Sequence, residues 1–334
     1  MKTISAKIIA DSMNISGQRI TTFVLTFPRS ILAELNTHRV FSRNSASSRA
    51  IPYEVMRREA IENAFIPYAW QKAHKGMQGK QYIEDPQTIT HLRYQWLKAR
   101  DAAIVQADRL NELGVTKQIC NRLLEPFLYH TAIVTTTELS NFFQQRLPKY
   151  KVEDNLILSS KKQIERHLVG YGFIDPNFIS FLEALKINEG MGEIHIMELA
   201  EKMLDELEVS KPNQLKEGDW HIPFGEDINL TRLFNEEIKG LKNLTSYILD
   251  DFPAKIKIAT ARCARISYLN FLGKDDYVSD IKLHDALYAD KHASPFEHCA
   301  QCMSKEDQIA QKSSGNFVGF HQYRQLIKKQ FDVK

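Results

Sequence analysis

The chain has 334 residues, 43% hydrophobic and 25% charged, with a formal net charge of +3. This is the balance of a globular protein of one large domain or two modest ones, and its charge is too weak to suggest nucleic-acid binding. No apolar run reaches the roughly 18 residues of a membrane helix, Asp11 interrupts any signal-peptide core, and the four cysteines are too few for a disulfide framework, so we expect a reducing cytoplasm.

Residues 3–11 and 19–27 alternate apolar and polar and predict two strands joined around Ser16-Gly17. Pro28 ends the second, and Ser30 is placed to cap a short helix, SILAEL. A helix follows near 53–64, then a mixed connection over 65–87 and a long amphipathic helix over about 88–113, ended by Gly114. Thr116 can cap a helix through Leu124, before Pro126. The β-branched run Tyr129 to Thr136 predicts a strand, and Thr137 or a neighbour caps a helix carrying Asn141 and Arg146. Residues 147–190 have charge runs, Gly and Pro and read as an insertion between a first part, 1–146, and a second part, 191–334. In that second part, 192–208 predicts an amphipathic helix and 209–227 a loop. Helical periodicity returns near 228–249, in 253–269 and in LHDALYADK, while CAQCM is strand-like and FVGFHQYRQLIKKQF closes the chain as a helix.

The stretch Glu34–Pro52 organises these elements. Its nineteen residues hold one His, three Arg, four Ser and two Asn, with no Gly and no acid after Glu34. A loop offering donors, hydroxyls and amides without carboxylates suits an anionic ligand such as a phosphate; a solvated surface loop is the alternative. There is no Gly-Lys-Ser/Thr phosphate loop and no GxGxxG after a strand, so phosphate binding would rest on Arg and Ser side chains and helix ends. His298-Cys299 with Cys302 lacks a second ligand pair for zinc, so we expect no metal, and the cysteines read as core residues.

Within that stretch, His38-Arg39, seven residues, Ser47, one residue and Arg49 resemble the signature of the flavin-dependent thymidylate synthases, the ThyX type, with Thr37 in place of that signature's first Arg. Two further blocks resemble the same family. One is Ala264-Arg265-Ile266-Ser267, a helix, then His292-Ala-Ser294-Pro-Phe-Glu297-His298; the other is Arg122 with Pro126 followed by Asn141-Phe142 and Arg146. The blocks look like the longer, phage-type variant in a changed order, since the Ser-Pro-Phe-Glu-His block follows rather than precedes the first. TTFVLTF-SILAELNTHRV and CAQCM-NFVGFHQYRQL form a loose echo, and aligning the terminal helix to the family's motif helix puts Arg324 where the Arg missing at Thr37 would be. Glu34, Ser45 and Met191-Gly192-Glu193-Ile194 stand where the family has a Gln, a Glu and an Ala-Gln-x-Glu-Ile segment.

The resemblance implies an α+β fold: an antiparallel sheet packed with helices, its core assembled from N- and C-terminal parts. It implies reductive methylation of dUMP to dTMP with FAD, NADPH and methylenetetrahydrofolate, in a homo-oligomer, a tetramer in the family, with sites across subunit interfaces. Carried over by position, Arg49, Ser47 and His38 form the catalytic set. His38, Arg39, Asn141, Ser267, His292 and Ser294 hold flavin, and Ser45, Ser47, Arg49, Arg122, Arg146 and Arg324 hold the nucleotide. The departures at Glu34 and Ser45 leave open a related methyl or hydroxymethyl transfer to another pyrimidine deoxynucleotide, such as dCMP. A different class, a nucleic-acid-binding protein using the 38–49 run, is disfavoured by the weak charge and the absence of interleaved aromatics.

Overall fold

The structure is a computed structural model and describes residues 2–76, 79–170, 181–229, 254–268 and 276–328. Strands β1 (Ser5–Asn14) and β2 (Arg19–Pro28) form the expected hairpin, with Ser5 opposite Thr26 and Met13 opposite Arg19. Gly17 takes the turn at φ 82, where a Cβ is disfavoured. Helix α1 (Leu32–Asn36) leads to β3 (Ser42–Ser45), followed by α2 (Tyr53–Glu62), α3 (Pro86–Glu112) and α4 (Lys117–Leu124). Strand β4 (Tyr129–Thr136) then inserts between β2 and β3, antiparallel to both.

After α5 (Ser140–Arg146), the described residues of 147–190 include a hairpin, β5 (Tyr150–Glu153) and β6 (Leu156–Leu158), and helices α6 (Lys161–Gly170) and α7 (Phe181–Ile187). This region is anchored to α8 (Ile194–Val209), because the Tyr150 hydroxyl and Lys161 Nζ both donate to Glu201, at 2.9 and 2.7 Å. Strand β7 (Asn213–Leu215) pairs parallel to β1 at the edge, giving the five-stranded order β3-β4-β2-β1-β7. The period of two along β2 sends Phe23, Leu25 and Phe27 to one face, against Ile196, Leu199, Ala200 and Met203 of α8. Val24 and Ile133 of the strands pack instead with Phe224, Cys263 and Ile266, so apolar groups cover both faces. Burial of each such large side chain contributes about 1.5–3 kcal/mol.

A second, antiparallel sheet has the order β12-β9-β8, from β8 (Trp220–His221), β9 (Ala300–Cys302) and β12 (Phe320–Gln322), with a two-stranded hairpin of β10 (Ser313–Ser314) and β11 (Phe317–Val318) before the last. A buried polar chain joins the sheets. Ser12 Oγ lies 2.9 Å from His221 Nδ1 and Thr22 Oγ1 2.8 Å from His221 Nε2; Thr22 and Thr135 hydroxyls meet at 2.8 Å, and Thr135 Oγ1 lies 2.9 Å from His298 Nδ1. Burial lowers the pKa of both imidazoles to about 3 and keeps them neutral.

The architecture is therefore α+β, helices on a largely antiparallel sheet, as expected. Several local expectations are corrected. The C-terminal run expected as one helix is β11, β12 and a short helix, Tyr323–Leu326, because Gly319 sits at φ 76 and Phe320 and Gln322 alternate inward; its last three residues, 329–331, lie outside the described ones. That removes the helical half of the echo with the 30–40 region. The 209–227 loop contains β7 and β8. Ser30 does not cap α1, which follows a 3-10 turn, Arg29–Ile31, and has no side-chain cap. Glu138, a neighbour of Thr137, accepts from Ser140 N and thereby closes the start of α5. The helix expected in 253–269 spans Ala254–Arg265 and ends in a 3-10 turn, Ile266–Tyr268. Most of the expected 228–249 helix lies outside the described residues. No described helix is long and apolar enough to cross a membrane.

Candidate functional site

An open cleft of about 960 Å³ lies between the 43–50 run, the start of α4, residues 264–268 and the 292–295 turn. The alternation of β3 puts Arg43 and Ser45 on one face. Beyond the strand the backbone is pinned: Ala46 N donates to Thr131 O at 2.9 Å, Ser47 N to Ser267 O at 3.2 Å, and Ala50 N and Ile51 N to Ser47 O at 3.0 Å each. The buried Asn121 amide of α4 donates to Ser48 O at 2.9 Å and Ile51 O at 3.1 Å, and Lys117 Nζ to Ala50 O at 2.8 Å. Ser48 is tied off on Glu125. Ser47 Oγ accepts from Arg49 N at 3.2 Å, which leaves its own proton to donate into the cleft.

The lining holds Arg29, Arg43, Arg49, Lys117, Arg122 and Arg265 and no carboxylate. Two of these cations are neutralised from behind, Arg29 by Glu125 at 2.9 Å and Arg265 by Asp280 at 2.7 Å. Arg49 and Arg122 are exposed and make no ion pair among the described residues. Burial lowers the Arg43 pKa from its ordinary value, and the Glu297 carboxylate opposes that shift. The start of α4 adds the partial positive charge of a helix N-terminus. An anion entering here meets donors and meets no like charge on the wall.

Of the residues singled out in the sequence, Ser45, Ser47, Arg49, Arg122, Ser267, His292 and Ser294 line this cleft. They come from all three blocks. The other five do not line it. His38 is buried, stacked on Phe41 and edge-on to Phe142, and its Nε2 accepts from Arg146 Nε at 3.3 Å. Burial, then the charges of Arg146 and Arg43, lower its pKa. Arg146 also reaches Glu34 at 3.5 Å, and the Thr37 hydroxyl donates to Glu34 O at 2.7 Å. Arg39 and Asn141 are exposed. Arg324 pairs with Glu297 and so reaches the cleft edge only through Glu297 and Arg43.

Arg29, Arg43, Lys117 and Tyr268 are lining residues that the sequence reading left out, and Arg265, named there only within its block, lines it too. Arg43 stands two residues from Ser45 on β3, where the sequence suggested a loop. The others depend on long-range packing. All four cysteines are buried and free, and none lines the cleft. Burial pushes the Cys299 thiol up to about 12 and Cys302 to about 11, and raises Cys263 well above the ordinary thiol value. Among the described residues no group of three or more His, Cys, Asp or Glu is placed to hold a metal ion.

Fold and cleft together define an α+β protein with an open, cationic, hydroxyl-lined site suited to an anion. No protein-family model matches the chain, and no curated protein matches it. Similar solved structures include the UMP/dUMP methylase PolB from Streptomyces cacaoi bound with 5-Br dUMP, with a TM-score of 0.43 and 11% identity, covering 62% of this chain and 90% of that one. The same methylase bound with 5-Br UMP gives a TM-score of 0.36 and 14% identity, covering 51% of this chain and 91% of that one. Neither overlap is close enough to carry a function to this chain.

Proposed function

We propose that the chain is a flavin-dependent thymidylate synthase-like enzyme that transfers a one-carbon unit to C5 of dUMP. The observation that carries this reading is the meeting of three separated sequence blocks, each resembling that family, in one cleft without carboxylates. Arg49 and Arg122 grip the nucleotide phosphate and balance charge that develops on the pyrimidine. The Ser47 hydroxyl donates to the nucleotide. The residues of the cleft that fit a flavin are Ser267, His292 and Ser294, whose hydroxyls and ring nitrogens suit its polar edge. When bound, reduced FAD supplies the hydride, with NADPH as the reductant and methylenetetrahydrofolate as the carbon donor. The protein's own task is to hold the reactants in near-attack geometry and exclude water, with no thiol nucleophile.

His38, Arg39, Asn141 and Arg146 lie outside the lining of one chain's cleft. A homo-oligomer whose sites are shared between subunits would bring a second set of these residues to it, so at least a dimer belongs to this proposal. The experiment is product analysis with dUMP and dCMP supplied together to the purified protein with FAD, NADPH and methylenetetrahydrofolate. A yellow protein that forms dTMP is the expected result. A C5-modified dCMP moves the assignment to the related transferase, for which Ser45 in the lining is the motivating feature. Colourless protein that binds neither nucleotide overturns it.

A further inference from the structure

A second cavity, of about 340 Å³, lies between the 65–82 segment and the start of α8. That volume is at the small end of the range for ligand sites. Its walls include Phe65, Trp70, Tyr82 and Trp96, with Glu193 and His195 at one side. The rings pack edge to face on one another, at 72° between Trp70 and Trp96, 89° between Phe65 and Trp96, and 82° between Phe65 and His195. This aromatic wall is held by the backbone. The Trp96 indole donates to Phe65 O at 2.7 Å, Ile83 N donates to Trp70 O at 2.8 Å, and Lys72 N to Gln81 O at 2.8 Å.

Where the cleft lining has no carboxylate, this cavity has one, Glu193. Glu193 accepts from His195 N at 2.8 Å and Ile196 N at 3.2 Å, and its other oxygen meets His195 Nδ1 at 2.5 Å. Tyr68 N donates to the far ring nitrogen of His195, at 3.4 Å. The lining's one Lys, Lys80, is exposed at the rim. Aromatic faces and a fixed carboxylate attract a cation and repel a phosphate.

We propose that the cavity lined by Phe65, Trp70, Tyr82, Trp96 and Glu193 binds a small organic cation, an alkylated ammonium group. This cavity shares no lining residue with the cleft. The test is a tryptophan-fluorescence titration of the full chain with choline, at constant ionic strength, beside its uncharged isostere 3,3-dimethylbutan-1-ol. Saturable binding of choline, about fivefold to thirtyfold tighter than the alcohol, is expected from a desolvated cation–π site. Trp70→Leu should weaken choline by about fivefold or more, and Tyr82→Leu serves the same purpose if that variant does not fold. Equal binding of choline and the alcohol would mean an apolar cavity only, and overturns the proposal. So would the absence of saturable binding, or choline binding that both folded variants leave unchanged.

Discussion

The cleft and the polar chain between the two sheets draw on the same residue types and treat them in opposite ways. In the chain, Ser12, His221, Thr22, Thr135 and His298 are buried and bond to one another, and only His298 Nε2 lacks a partner among the described residues. In the cleft, backbone bonds hold the loop, while Arg49, Arg122 and the Ser47 proton are left facing solvent. A buried polar group is stable only when satisfied internally. An exposed, pre-positioned one keeps its bonding capacity for a ligand. The first arrangement fixes how the sheets meet; the second prepares binding.

Changes in the polar chain should therefore act on stability and spare the cleft. The largest expected effect is from His221→Ala, which strips Ser12 and Thr22 of a buried partner and leaves a cavity. We expect a loss of roughly 3–5 kcal/mol in denaturant unfolding. A loss below about 1 kcal/mol would mean that the chain does not hold the sheets together. Acid sharpens the same point. His221 and His298 fall from 6.5 to about 3 on folding, so the unfolded state binds protons more readily. Their contribution is complete above pH 6.5 and is lost as pH falls toward 3. Within that window each histidine should add a slope of about 1.4 kcal/mol per pH unit. His221→Gln keeps two bonding atoms without titrating, so its stability should fall less steeply with acid, read from unfolding curves at several pH values.

The cleft should respond in the reverse sense. Arg49→Ala removes an exposed guanidinium with no internal partner, so the melting temperature should hold while dUMP affinity falls. A charge-assisted contact is worth roughly 1.5–3 kcal/mol, which is on the order of tenfold to a hundredfold in dissociation constant. Unchanged affinity, measured by calorimetry, would remove the cleft from consideration as the nucleotide site.

How much of this was legible in the sequence follows from the range of the interactions. The β1–β2 hairpin, α2, α3, α4, β4 and α8 were readable because period and turn residues are local signals. Ser45, Ser47, Arg49, Arg122, Ser267, His292 and Ser294 were brought together through three blocks whose resemblance substituted for contacts that no local pattern encodes. The helix expected at the C-terminus was misread because Phe317, Phe320 and Tyr323 also fit a helical spacing, and Gly319 decides against it. Short strands such as β7 and β8 depend on partners far along the chain and carry almost no pattern of their own. His221 was seen in a loop and is a fully buried link between sheets, since burial is a tertiary property.

The smallest expected effect tests where the cleft ends. Arg324 was aligned with the Arg missing at Thr37, yet it pairs with Glu297, with 41% of its side chain exposed. An ion pair that exposed contributes about 0–1 kcal/mol, so Arg324→Ala should barely change unfolding. Its influence on the cleft runs through Glu297, whose carboxylate also acts on Arg43. Without Arg324, Glu297 is freed to attract Arg43, and the pull should draw that guanidinium away from an incoming anion. We expect dUMP affinity to weaken by no more than about threefold, less than for Arg43→Ala, which removes a lining charge outright. Adding Glu297→Gln to Arg324→Ala should restore the affinity, because the competing carboxylate is gone. A tenfold or greater loss in Arg324→Ala that Glu297→Gln fails to restore would put Arg324 on the ligand itself, and the boundary of the site would have to include the C-terminal segment.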